Sequence, residues 1–171
     1  TYGKDTEGIF RMHQFDKLEM ESITSELDGL EEHKLLVAIQ EYLMQQLNIP
    51  YRVLEKCTAD IGKPNAKGVD IDAWLPGQDQ YRETHTADYM TDYQSRRLNM
   101  LWISAPEQNG PANPDSAFAT GSKVFLVHTN DATAFALGRT MIAIIENYQD
   151  SAGDVLIYEV LQKYMGGKEK I

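Results

Sequence analysis

The chain has a single cysteine, Cys57, in 171 residues. An internal disulfide is thereby excluded, and a reducing compartment fits. A long apolar run is also lacking. The longest, around 132–145, is broken by Gly138 and Arg139, so nothing reads as a membrane span or a signal peptide. These features predict a soluble, cytoplasmic protein. Positive charge is scarce: 16 basic residues face 26 acidic ones, for a net charge of −10. A domain whose main task is to grip phosphate backbone needs the opposite balance, so any nucleic-acid contact is expected to be local or assisted by another segment. Neither G-x-x-x-x-G-K-[ST] nor G-x-G-x-x-G occurs, which removes the Walker and Rossmann nucleotide sites. Four histidines and one cysteine make no zinc pattern. No Cys/His or Ser/His pair stands at nucleophilic spacing. A nucleotide, if used, must sit on an antiparallel sheet.

What is present suffices for one domain over residues 1–171, since 42% of the chain is hydrophobic. The chain opens at Thr1 in a loop-like stretch and is expected to be a piece of a longer protein. Residues 9–21 alternate strictly, which predicts a strand. Phe10, Met12, Leu18 and Met20 fall on one face, and Arg11, His13, Phe15, Lys17 and Glu19 on the other. A weak capping signal at 25–28 precedes a helix marked by Leu35, Leu36, Ile39, Leu43 and Leu47 and ended by Pro50. Strands are predicted over 51–57, 69–75, 81–88, 96–103 and 122–128, a surface loop over 104–120, a central helix over 133–148 and a short closing element over 154–165. Most connections are too short for parallel crossovers. The fold class is α+β, a mainly antiparallel sheet flanked by helices.

Three segments hold residues suited to chemistry. In the first, Phe15 could stack on a base, Arg11 could meet phosphate oxygens through its planar fork, and Glu19 could accept from an ammonium. The alternative is a core Phe15 and a solvated Arg11–Glu19 pair. In the second, Glu83 and Thr86 supply hard oxygens of the kind Mg²⁺ takes when it bridges protein and phosphates. Their spacing of three puts them on opposite strand faces unless the strand ends or bulges near Thr84. His85, Asp70 and Asp72 read as surface residues. In the third, Asp131 or Thr133 could cap a helix, and Arg139, about two turns into it, must reach a polar cavity or pair with an anion. A structural ion pair with Glu83 or Glu19 is the competing role. Gly138 beside it suggests close approach by another backbone or a ligand.

The run Arg11-Met12-His13-Gln14-Phe15-Asp16-Lys17-Leu18-Glu19 resembles the second half of motif 2 in seryl-tRNA synthetases, which are class II aminoacyl-tRNA synthetases. Thr58-x-Asp60-x-Gly62, Asp70-Ile71-x-Ala73-Trp74-Leu75-Pro76, Tyr81-Arg82-Glu83, Asp92-Tyr93-Gln94-x-Arg96-Arg97-x-Asn99, Gly138-Arg139, Glu146-Asn147-Tyr148-Gln149 and Tyr164-Met165-Gly166 follow in the family's order. The resemblance implies a class II synthetase catalytic fold and activation of serine with ATP and Mg²⁺ to seryl-adenylate, followed by transfer to the 3′ end of the serine tRNA. It implies that Phe15 stacks on adenine with Met12 beside the nucleotide, that Arg11 holds the triphosphate, and that Arg139 is the motif 3 arginine that covers the bent ATP. Glu83, Thr84, His85 and Thr86 would line the nucleotide site, with Glu83 and Thr86 on the metal. Glu19 would bind the serine ammonium and Thr133 would contact serine.

Two departures stand out. Thr86 replaces the commoner serine but keeps the hydroxyl. Where the family shows T-L-N-x-[ST], this chain has Thr129-Asn130-Asp131-Ala132-Thr133, so either Asn130 or Asp131 meets the serine hydroxyl. The N-terminal helical hairpin that grips tRNA, motif 1 with its dimer interface, and the first strand of motif 2 are not in the sequence. A homodimer is expected of the complete enzyme, and no useful adenylation of this piece alone. The other reading is a non-catalytic or repurposed class II domain that binds ATP or an amino acid.

Overall fold

The computed structural model describes residues 8–104 and 123–171, so the loop expected over 104–120 falls outside the described residues except for Ser104. In chain order the elements are β1 (Lys17–Thr24), α1 (Gly29–Gln46), β2 (Tyr51–Glu55), β3 (Lys67–Leu75) and β4 (Gln80–Tyr89). There follow α2 (Tyr93–Leu98), β5 (Leu101–Ile103), β6 (Val124–Leu126), β7 (His128–Ala136), α3 (Leu137–Tyr148) and α4 (Glu159–Gln162). Five strands make one sheet in the order β1-β7-β4-β3-β2, every pairing antiparallel, and β5 with β6 makes a separate ribbon. The expected α+β architecture is borne out. No helix among the described residues is long and apolar enough to cross a membrane.

The apolar residues of β3 explain where the core sits. Ile71, Ala73 and Leu75 are fully buried and pack against Met44 and Leu47 at the end of α1 and against Ile142 and Ala143 of α3. Both helices therefore cover one face of the sheet. The opposite face carries the charged alternates of the same strands, as a period of two requires.

The buried stripe of α1 is Gly29, His33, Leu36, Gln40 and Met44, while Leu35 is half exposed. Two polar residues point inward because the strands beneath them part. β4 and β7 pair only at Ala87↔Ala132, Asp88↔Asp131 and Tyr89↔Asn130. One step further, the Gln40 amide donates to both Thr86 O and Thr133 O, each at 2.8 Å. The next carbonyl, Ala134 O, meets His85 Nε2 at 3.0 Å, and His33 Nε2 lies 3.1 Å from Ala87 O. Gln40 and His85 thus satisfy backbone groups that a continued ladder would have paired, while His33 meets a carbonyl inside the paired stretch. Both strands also bulge here. Thr84 is the extra residue where Ile71 and Asp72 face His85 and Glu83, and Ala134 is the extra residue where Leu18 and Glu19 face Phe135 and Thr133.

Three element expectations need correction. The alternation over 9–21 becomes a strand only from Lys17, because residues 8–16 have no neighbouring strand and are irregular. Residues 93–98 are helical and only Leu101–Ile103 is strand, the chain reversing at Asn99 in the left-handed region (φ 55°). Residues 133–136 belong to β7, so the helix starts at Leu137. Ala134-Phe135-Ala136 has helix-forming composition, and pairing with β1 overrides it.

Gln40→Ala should cost about 3 kcal/mol, because it leaves two buried carbonyls without donors. Urea unfolding would show this as a lower midpoint at unchanged slope, and a loss under about 1 kcal/mol would mean that water replaces the amide. Burial pulls the His85 imidazole down from 6.5 to about 4, although the Ala134 carbonyl favours its protonated form. The folded value lies below the unfolded one, so this contribution is intact above pH 6.5 and disappears as pH falls toward 4. The melting temperature should drop across that interval, and His85→Gln should flatten the drop.

Candidate active site

Where β4 and β7 separate, the charged sheet face opens into a cleft of about 310 Å³, at the small end of the range for ligand sites. Glu83, Thr84 and Thr86 line it from β4, and Thr133 and Ala136 from β7. Gly138 and Arg139 enter from the first turn of α3, and Phe10, Arg11, Met12, Phe15 and Lys17 from the segment leading into β1. All three chemistry-bearing segments of the sequence meet here. The bulge at Thr84 reconciles the spacing of Glu83 and Thr86: with one residue absorbed, both side chains reach the same cleft.

The segment 8–16 is draped over the start of α3 by three contacts. Asp16 O accepts from the Leu137 amide at 3.0 Å. Phe10 lies between two guanidinium groups, with Arg82 at 4.0 Å and Arg139 at 4.7 Å from its ring centre. Met12 occupies the space that Gly138 leaves, since a Cβ there would fall 2.8 Å from Met12 Cε. A methionine, not a backbone or a ligand, thus accounts for the close approach expected at Gly138. Phe15 is not core; it remains 56% exposed at the cleft.

Arg139 is the third residue of α3 rather than two turns in. Its Nη1 donates to Glu83 O at 2.9 Å and lies 3.3 Å from Glu83 Oε1. The ion pair with Glu83 therefore exists, and it exists inside the cleft. Glu19 pairs instead with Lys17 at 2.7 Å and stands opposite Thr133 in the β1–β7 register.

Several residues differ from their expected placement. Asp131 and Thr133 are strand residues and cap no helix. His85 is no surface residue: it is 1% exposed, with Nδ1 2.8 Å from the Thr84 hydroxyl and Nε2 on Ala134 O. Its ring is used inside the sheet and is not among the side chains that line the cleft. The single proton of the Thr84 hydroxyl has His85 Nδ1 at 2.8 Å and Ile71 O at 3.2 Å within reach, so it too is used inside the sheet although the residue borders the cleft. Asn130 is buried, its amide donating to Gly29 O at 3.2 Å and lying 3.3 Å from Ser22 Oγ. Asn130 faces α1, whereas Asp131 lies on the charged face of the sheet between Glu21 and Asp88. Asp72 pairs with Arg52 at 2.8 Å and is largely buried. Asp70 is partly buried in an ion pair with Lys56, so neither aspartate is plain surface.

The electrostatics of the charged face are dominated by carboxylates. Asp131 lies opposite Asp88 on one side and Glu21 on the other. Burial, then the neighbouring charges of Asp88 and Glu19, push its carboxyl up to about 6. Lys56 sits against Asp88 and Asp70. Sequence reasoning overlooked Lys56 and Phe10. Phe10 falls on the apolar face of the alternation, and nothing in the spacing of Lys56 announces a buried ammonium. Among the described residues no group of three or more His, Cys, Asp or Glu side chains could hold a metal ion.

The tRNA synthetase class II core domain (G, H, P, S and T) family model matches residues 2–148. The chain is 44% identical over all its 171 residues to a serine–tRNA ligase of Geobacter sp. (strain M21), and 41% identical over 169 residues to that of Rickettsia africae. It spans 37% and 36% of the length of these curated relatives. Among solved structures, seryl-tRNA synthetase from Pyrococcus horikoshii complexed with ATP matches with a TM-score of 0.84 and 42% identity, covering 100% of this chain and 35% of that one. Cytoplasmic serine–tRNA ligase from Naegleria fowleri in complex with AMP matches at 0.82 and 36%, covering 98% and 32%. The convergence of three segments on the cleft, the antiparallel sheet behind it and these matches lead to one assignment: the chain belongs to the class II tRNA synthetase core domain family.

Proposed function

We propose that this chain carries the adenylate-forming part of a serine–tRNA ligase, as the C-terminal portion (residues 1–171) of its catalytic domain. The observation that carries the reading is the convergence of Arg11, Phe15, Glu83, Thr86, Thr133 and Arg139 on one cleft from three separate segments. Activation joins the serine carboxylate to the α-phosphorus of ATP and releases pyrophosphate, and transfer then esterifies the 3′ end of the serine tRNA. Neither step needs a protein nucleophile, only positioning and charge neutralisation.

In this reading Phe15 stacks on adenine beside Met12, and Arg11 and Arg139 hold phosphate oxygens. Thr133 and the carboxylates of Glu19 and Asp131 form the serine end. His85, Thr84 and Asn130 act behind that surface by holding the strands. Magnesium fits the residues only in part. Glu83 offers a half-exposed carboxylate, which suits the ion. The Thr86 oxygen already accepts a hydrogen bond from the Lys56 ammonium at 2.8 Å, which opposes a second cation. The proposal extends to a cytoplasmic homodimer whose tRNA contacts lie mainly in the part of the relatives' length beyond this chain; the net charge of −10 supports that division.

Serine-dependent pyrophosphate exchange by the complete gene product tests the reading, and absence of exchange with every amino acid would favour a repurposed domain. Arg139→Ala should weaken ATP binding about tenfold to a hundredfold, as loss of a charge-assisted contact does. Phe15→Ala should cost about 1–3 kcal/mol of ATP affinity with little change in melting temperature, because the ring is exposed. Isothermal titration alongside thermal denaturation reads both. For Asp131 the folded value lies above the unfolded one, so the carboxyl costs nothing below pH 3.8 and a growing amount as pH rises through 6. Asp131→Asn should therefore raise the melting temperature at pH 8 and leave it nearly unchanged at pH 4.

A further inference from the structure

Lys56 follows β2, yet its side chain is only 11% exposed. Its Nζ lies 2.8 Å from Asp88 Oδ1 and 3.3 Å from Asp70 Oδ1, and it donates to Thr86 Oγ1 at 2.8 Å. The ammonium thus has one hydrogen bond, to Thr86, and two ion-pair contacts, to Asp88 and Asp70. The stem reaches them by crossing β3 at Gly68. A Cβ there would stand 2.2 Å from Lys56 Cε and 2.5 Å from Asp88 Oδ1, so only glycine leaves the passage open. β3 and β4 pair along their whole length without this help. A buried ammonium is costly unless it is fully paired, and sheet cohesion does not explain it.

Thr86 is the partner that also borders the cleft. A hydroxyl has one proton and two lone pairs. Lys56 engages one lone pair with a full positive charge, which leaves the proton to be given toward the cleft. A cation placed behind an oxygen favours an anion in front of it and disfavours another cation. Glu83, the other oxygen suited to a metal, is already paired with Arg139. Both oxygens therefore carry a protein cation.

We propose that Lys56 is a positioning residue that turns the Thr86 hydroxyl into a hydrogen-bond donor for an anionic phosphate oxygen, so that this chain binds ATP with little dependence on magnesium. The inference deepens the nucleotide reading above and rests on it. From that point the cleft neutralises phosphate with its own cations, Lys56 acting through Thr86 and Arg139 directly.

The test is ATP titration by calorimetry in excess magnesium and in EDTA, with Mn²⁺ paramagnetic resonance as a direct readout of metal bound beside ATP. The unaltered protein should show affinities within about threefold in the two conditions, whereas loss of a charge-assisted donor should lower affinity in EDTA about tenfold in Lys56→Met. Magnesium should restore that variant, and Mn²⁺ should bind it more tightly. Because Lys56→Met strands Asp88, the paired variant Lys56→Met/Asp88→Asn is measured beside it and should behave alike. Equal metal dependence in all forms would leave Lys56 a structural residue and overturn the proposal. Strongly magnesium-dependent binding by the unaltered protein would overturn it even if both variants fail to fold. Absence of ATP binding in either condition would instead overturn the nucleotide reading, and the proposal with it.

Discussion

The double hydrogen bond from the Gln40 amide to Thr86 O and Thr133 O is the constraint on which the rest of the molecule hangs. An ordinary ladder between β4 and β7 would close the sheet and leave no room at its charged face. The amide holds the strands at a fixed separation instead, and the His85 ring extends the same device by one carbonyl. The cost of these two polar residues in a core is offset because the Gln40 amide and His85 Nε2 each find carbonyls that the parted strands leave free. The bulges at Thr84 and Ala134 lie at the mouth of this opening, which is why Glu83, Thr86 and Thr133 point into a common space.

Burial and charge divide cleanly between the two faces of the sheet. One face is closed by α1 and α3 over Ile71, Ala73 and Leu75, with the small Ala87 and Ala132 letting α1 approach. The other concentrates acidic groups, and the molecule tolerates the crowding in two ways. Near β2 it inserts a cation, Lys56, whose partners raise its pKa although burial opposes it. Toward β1 it lets a carboxyl, Asp131, hold its proton to an unusually high pH. The same sheet face thus runs from a neutralised end to a proton-retaining end.

Much of this was legible in the residues. The motif order from Arg11 to Arg139 identified the resemblance, and the conditional bulge near Thr84 followed from the spacing of Glu83 and Thr86 alone. The strands 69–75 and 81–88 were visible because their alternation is long and bounded by turns. What failed did so for tertiary reasons. Alternation in 9–16 reflects Phe10 and Met12 finding separate partners on α3 and β4, and no strand pairs with it. Ala134 to Ala136 carries no local mark of a strand, since only the partner β1 makes it one. The inward turn of Asn130, His85 and Gln40 could not be read because polarity alone does not say which carbonyls a fold will orphan.

Gly68 links two positions that the sequence keeps apart. Any side chain at residue 68 would evict the Lys56 stem, and a short residue at 56 would leave the glycine without purpose. Variation at the two sites should therefore be epistatic: either the glycine and the lysine persist together, or both give way to an ordinary strand residue and an uncharged neighbour. A lineage could pass between these states only through an intermediate with a void or a clash beneath the cleft, which makes the arrangement easier to inherit than to acquire.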